Sequence, residues 1–148
     1  MATLQTLRTS LHETAQGVSG GGFALLSGRC VQGYLPVTRT TGSGFWQRCT
    51  AATSGAFAIV GPGACVDADA GNINRYPRFS VEVEVYLAVD KDAADNLSGV
   101  VTFIETLRRA LDDVLPKGGC TYDPPGMQTN GPNLLLHYRL DCNGLGCG

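Results

Sequence analysis

No long apolar run and no block of like charge occurs in this chain. Its longest apolar stretches, such as residues 56–60 and 134–136, fall far short of the roughly 20 residues a membrane-spanning helix needs. The beginning of the chain shows no basic segment leading into an apolar one, so we expect a soluble protein made in the cytoplasm with no membrane partner. Eleven basic and 13 acidic residues leave a formal net charge of −2. Without a basic stripe, the electrostatic footprint of a dedicated nucleic-acid binder is missing. Histidine is scarce as well: His12 and His137 are the only two, and neither sits in a recognisable catalytic motif. The glycine-rich stretches at 19–22 and 61–63 lack the Lys-Ser/Thr or Gly-x-Gly-x-x-Gly arrangement that cradles phosphates, which argues against a nucleotide site.

Cysteine is plentiful by comparison, with six residues at Cys30, Cys49, Cys65, Cys120, Cys142 and Cys147. Zinc sites draw on tight Cys-x-x-Cys-like pairs, whereas Cys142 and Cys147 have four residues between them and no nearby histidine. A chain of 148 residues is long enough to bury a core without staples. The expectation is thiols that are free and mostly buried or strand-borne, with a disulfide as the standing alternative, and no metal or cofactor.

What is present is a scaffold. Phe79, Val81, Val83, Val85 and Leu87 alternate with Ser80, Glu82, Glu84 and Tyr86, the period of a half-buried strand over residues 79–89. Leu97, Val100, Val101, Ile104, Leu107, Leu111, Val114 and Leu115 then recur at three-and-four spacing, which predicts an amphipathic helix over 92–115. Strand and helix each come to roughly 35 Å, so the helix is expected to cover the strand end to end. Leu4, Leu7, Leu11 and Ala15 predict a first helix over 3–18, ended by the glycine run. Residues 30–38 and 45–50 read as extended arms of a protruding hairpin within 29–52, and 56–60 as a short apolar strand. Residues 121–132, rich in Pro, Gly and Asn, read as loop, and the tail 143–148 as loose. Leu134, Leu136, Tyr138, Leu140 and Cys142 mark a closing strand over 134–142 with one buried face. The sum is a single α/β (α+β) domain: one mixed or antiparallel sheet flanked by two helices.

The candidate site residues have plain readings beside the sharper ones. Glu82 and Glu84 share a strand face, which formally permits acid–base or metal chemistry; a solvated face or a contact to a basic residue of a neighbouring subunit looks the same. His137 falls opposite Leu136 and Tyr138 and reads as an exposed strand histidine. Asp112 and Asp113 read as a solvated helix face, and Glu105 can support Arg108 or Arg109 along the helix. Phe45 and Trp46 place large aromatics beside a polar turn, with Arg48 close by; they either tuck onto the core or mark a contact surface. The polar loop 67–78, expected to be mobile at its tip, adds Arg75 and Arg78 as candidate contacts.

The layout resembles the tail terminator and tail completion proteins of long-tailed bacteriophages. The likeness rests on the opening helix Thr3-Leu4-Gln5-Thr6-Leu7-Arg8-Thr9-Ser10-Leu11, the strand Arg78-Phe79-Ser80-Val81-Glu82-Val83-Glu84-Val85-Tyr86-Leu87, the helix Ile104-Glu105-Thr106-Leu107-Arg108-Arg109-Ala110-Leu111 and the late strand Leu134-Leu135-Leu136-His137-Tyr138-Arg139-Leu140. The resemblance implies a non-enzymatic virion protein, made in the host cytoplasm. It would form a homo-oligomeric ring, usually of six copies, on the last ring of the tail tube. There it would halt growth of the tube protein and offer a surface to a neck or head-completion protein, while DNA passes through unread. Phe45, Trp46, Arg48, Arg75, Arg78, Glu82 and Glu84 are the contact residues expected on that reading. The six cysteines and the segment 29–50 depart from the family's pattern. Other neck or tail components, a head-completion stopper or a tube protein, are the alternatives within the class. A small cysteine-dependent enzyme, with a thiol activated by His12 or His137, is the alternative outside it.

Overall fold

The computed structural model describes residues 3–25, 29–33, 55–67, 77–90, 97–115, 118–130 and 133–145. In chain order these form α1 (Leu4–Ala15), β1 (Ser19–Gly20), β2 (Phe23–Ala24), β3 (Cys30–Gln32), β4 (Ala56–Val60), β5 (Ala64–Asp67), β6 (Pro77–Asp90), α2 (Leu97–Asp112), β7 (Gly119–Tyr122), β8 (Gly126–Asn130) and β9 (Asn133–Leu145). The fold is α+β, with a mixed sheet in the order β3-β4-β6-β9-β7, β5 added alongside β6 and β8 alongside β9. β3 and β4 are parallel, and every other pairing in the sheet is antiparallel. The connection through α2 leads from β6 to β7, which are both antiparallel to β9 and so parallel to each other; it is a helical crossover between parallel strands of one sheet, the case for which right-handedness is the rule.

The long central pair β6–β9 is what alternation predicts, extended at both ends. Every residue from Arg78 to Asp90 has a partner between Leu145 and Asn133. Strand pairing thus takes in Asn143 to Leu145, which the sequence reads as a loose tail. Phe79, Val81, Val83, Val85, Leu87 and Val89 face the same core as Leu136, Tyr138, Leu140 and Cys142. Leu7, Leu11 and Ala15 of α1 and Val100, Phe103, Ile104, Leu107 and Leu111 of α2 close that core from one side. α2 has 16 residues, about 24 Å, against about 46 Å for the 14 residues of β6. It cannot cover the strand end to end as expected, and α1 shares the task, packing against β3 and β4 while α2 lies against β7 and the β1–β2 hairpin.

Helix ends follow local chemistry. Thr3 caps α1 by accepting the Thr6 N–H at 3.1 Å while Thr6 Oγ1 accepts the Thr3 N–H at 2.8 Å, a capping box with threonine in the place usually held by Glu or Gln. Arg8 Nε donates to the Gly61 carbonyl oxygen at 2.8 Å and ties the helix to the sheet.

Two strands of the sheet are interrupted by bulges, and the second takes in residues 126–130, which the sequence reads as loop. Between Val60↔Val83 and Ala64↔Ser80, residues 61–63 face only 81–82, so β4 and β5 form one strand interrupted by a bulge. Residues 123–125 likewise face 138–139, joining β7 and β8 along β9. Pro124 and Pro125 sit at this bulge, where a missing N–H is tolerated. Residues 30–32 of the expected hairpin lie in the main sheet, beside β4; residues 34–52, with Phe45, Trp46 and Arg48, fall outside the described residues.

The glycine run after α1 makes a hairpin of its own. Gly21 (φ 59°) and Gly22 (φ 92°) turn β1 into β2, the doubly left-handed pair that two-residue hairpins favour. A Cβ on Gly21 would stand 1.9 Å from the Gly99 carbonyl oxygen of α2, while one on Gly22 meets nothing within 4 Å. Gly21→Ala is therefore expected to cost about 2–4 kcal/mol through strain plus overpacking, and Gly22→Ala about 1–2 kcal/mol through strain alone. Urea unfolding of the two variants compares them directly; equal losses would mean that the hairpin does not rest on α2.

Candidate functional site

The period of two puts Glu82, Glu84 and Tyr86 of β6 on the face away from the helices, with Leu135, His137, Arg139 and Asp141 of β9 beside them. Register then decides which groups meet. Glu84 is directly opposite Arg139, and Tyr86 directly opposite His137. Arg139 Nε donates to Glu84 Oε1 at 3.2 Å and lies 3.8 Å from Glu82 Oε2. His137 donates its Nε2–H to Glu84 Oε2 and stacks on Tyr86, with ring centroids 4.6 Å apart and planes 18° from parallel. Partial burial works against the Arg139 charge, but the bond to Glu84 and the carboxylates of Glu84, Glu82 and Asp141 outweigh it and push the guanidinium pKa up.

This arrangement corrects two expectations. Glu84 is not on a solvated face: it is only 2% exposed, and two cross-strand donors, His137 and Arg139, reach its carboxyl oxygens. His137 is not exposed either, since the Tyr86 ring and Glu84 cover it. Beside them Phe57, Ile59, Tyr86 and Leu135 form a second buried cluster, flanked by Val31 and Ala88. Both faces of the sheet therefore bury apolar area at this end, where the sequence predicts one. Glu82 and Arg139 stay accessible at 39% and 43%. Next to Glu82, an open depression of about 250 Å³ is lined by Pro62, Gly63, Ala64 and Ser80. Of the other expected contact residues, Arg78 is half-buried at the start of β6, and Arg75 lies outside the described residues, as do Phe45, Trp46 and Arg48. Sequence reasoning missed Arg139 and the role of His137; alternation gives the face these residues share, while the opposition of Glu84 to Arg139 comes from the antiparallel register of β6 and β9.

A second polar cluster ties α2 to β7. Tyr122 donates its hydroxyl to Glu105, and Arg108 bonds Glu105 and Asp112, each at 3.3 Å. Asp112 Oδ1 also accepts the Cys120 N–H at 2.6 Å. Asp112, read as a solvated residue, thus holds an edge strand in place. The bond to Glu105, aided by partial burial, pushes the Tyr122 phenol up to about 12. In turn that bond, opposed by partial burial and helped by Arg108, holds Glu105 below the usual carboxylate range. A raised folded-state value means that the bond's contribution is fully present below the ordinary tyrosine value of about 10 and is lost as pH rises through about 12. The Glu105 contribution runs the other way, present above the ordinary carboxyl range and lost as pH falls through the lowered value. Phenolate absorbance should show a late-titrating tyrosine that Tyr122→Phe removes; an unchanged late phase in that variant would contradict the Tyr122–Glu105 bond.

The thiols divide into two kinds. Cys30, Cys120 and Cys142 are free and buried, as expected, but Cys65 is disulfide-bonded, a correction to the all-thiol reading. Burial pushes the Cys30 thiol up to about 12, so it stays protonated at neutral pH, the opposite of an activated nucleophile. His12 donates its Nε2–H to the Cys30 carbonyl oxygen at 2.6 Å. Among the described residues, no group of three or more His, Cys, Asp or Glu side chains is placed to hold a metal ion, and no helix is long and apolar enough to cross a membrane. No protein-family model and no curated protein sequence matches the chain.

Proposed function

We propose that this chain is a structural, non-enzymatic subunit of a long-tailed bacteriophage virion, a tail terminator. In this role it forms a ring, with six copies as the expected number, on the end of the tail tube. The ring stops the tube protein from polymerising and presents a joining surface to a neck or head-completion protein, while DNA passes through the lumen without sequence recognition. The observation that carries the reading is the asymmetry of the sheet. Both helices sit on one face, and the other bears an ion-paired stripe whose outer members, Glu82 and Arg139, remain accessible to a neighbouring copy. Accessible charges beside a buried, ion-paired patch suit a docking surface better than a catalytic cleft. The element order of helix, long strand, helix and closing strand supports the same class.

Removing the gene from a phage that encodes the chain tests the proposal. Tails of uncontrolled length and unjoined heads are expected, and normal virions would overturn it. Trp46→Ala with Arg48→Ala separates docking from folding: this variant should melt near the wild-type temperature yet leave heads and tails unjoined. Full infectivity would remove these two residues from the joining surface.

A further inference from the structure

Cys120 and Cys142 are direct partners across the β7–β9 pair, and their sulfur atoms lie 3.2 Å apart, one thiol donating to the other. Partners in an antiparallel pair have Cα atoms about 4.5 or 5.5 Å apart, depending on the hydrogen-bonding position. Both values fall within the roughly 4.4–6.8 Å that a disulfide spans. Closing the bond asks for side-chain rotation and no slip of either strand. We infer that Cys120 and Cys142 form a redox pair that closes into a cross-strand disulfide and staples β7 to β9. The inference is independent of the proposed place in a phage tail.

The surroundings make the pair slow to react while the chain is folded. Both residues are buried in the main core, and the contact with Cys120 together with burial pushes the Cys142 thiol up. Little thiolate is therefore present at Cys142, and a thiolate is the attacking species. β7 is a four-residue strand, and its outward movement is the way a reagent reaches the sulfurs. The Asp112 bond to the Cys120 N–H opposes that movement. The oxidant is a low-molecular-weight disulfide such as oxidised glutathione. One cysteine loses its proton, and its thiolate attacks a glutathione sulfur, forming a mixed disulfide and expelling one glutathione thiolate, which takes up a proton. The second cysteine, deprotonated in turn, attacks the protein sulfur of that mixed disulfide and expels the other glutathione. The two protein thiols lose two electrons and two protons, and one glutathione disulfide becomes two thiols. Cys65, already disulfide-bonded, shows a fold compatible with an oxidising setting.

The bond would close a loop of 22 positions that contains β8 and most of β9 before Cys142. Restricting that loop in the unfolded chain raises Tm by on the order of 10 °C. The test uses the full chain incubated in mixtures of reduced and oxidised glutathione, quenched with acid, alkylated and digested with trypsin. Cleavage after Lys117 and Arg139 places Cys120 in residues 118–139 and Cys142, with Cys147, in residues 140–148, and fragmentation separates the last two. The expected result is a Cys120–Cys142 linkage, a mass lower by two hydrogens at that pair, and a Tm above that of Cys120→Ala at the same glutathione ratio. Cys120→Ala keeps Cys65 but also removes a buried side chain, so the new bond is read as the rise in Tm between reduced and oxidised glutathione that the wild-type chain shows and the variant lacks; Cys142→Ala replaces it should Cys120→Ala fail to fold. Complete alkylation of both cysteines after equilibration with oxidised glutathione would overturn the inference. So would linkage of Cys120 to Cys147, or a Cys120–Cys142 bond that leaves Tm unchanged.

Discussion

Leu107→Asp should leave most of the chain unfolded at room temperature. Leu107 is fully buried on α2, in the cluster that joins Phe103, Ile104 and Leu111 to the odd-numbered face of β6. That cluster consists of hydrophobic side chains, so a carboxylate there would have to be protonated, left without a partner, or released by melting the helix. Each route costs several kcal/mol, a large share of the roughly 5–15 kcal/mol that holds a domain together. Val101→Asp is the matched control, because Val101 lies on the same helix at 44% exposure; it should change stability by about 0.5 kcal/mol or less. Circular dichroism and thermal melts of the two variants read the contrast. An unaltered melting temperature for Leu107→Asp would mean that α2 presents a different face to the sheet.

The elements legible in the sequence are those whose own periodicity states which side is buried. β6 and β9 alternate over most of their length, and the apolar stripe of α2 recurs every three or four residues, so the main core followed from Phe79, Val83, Leu107 and Leu140 alone. β5 and β8 were not legible, because neither carries an alternating apolar pattern in its sequence. Met127 of β8 is exposed and its neighbours are polar or glycine; the segment is a strand because β9 supplies hydrogen-bonding partners along its edge. The candidate site failed for a related reason. Alternation tells that Glu84, Tyr86 and His137 lie away from the helices, but not whether that side is covered. The contacts among them depend on register, which is a property of two strands together. Spacing along the chain likewise carries no distance between thiols, so neither the Cys65 disulfide nor the meeting of Cys120 with Cys142 could be read before β7 was placed beside β9.

Register makes the Glu84 site the second place where one substitution should be severe. Glu84→Lys would set an ammonium against the Arg139 guanidinium, now 3.2 Å from the carboxylate, and deprive His137 of its acceptor. Breaking a buried ion pair costs about 3–5 kcal/mol, and like charges left in contact push the loss toward the upper end. Glu84→Gln keeps the shape and one acceptor oxygen, so it should lose about 1–3 kcal/mol. The order of these two losses in chemical denaturation separates a charge effect from a packing effect. Combining Glu84→Lys with Arg139→Glu restores opposite charges across the strands and should recover at least about 1 kcal/mol relative to the sum of the single changes. Strict additivity would show that the two groups do not act on one another. Glu82→Lys then divides folding from docking: its side chain is 39% exposed, so a loss of stability of about 1 kcal/mol or less is expected. A folded Glu82→Lys protein that no longer assembles would place the accessible end of the stripe at a subunit contact, whereas unimpaired assembly would confine the ion pairs to holding β6 and β9 together.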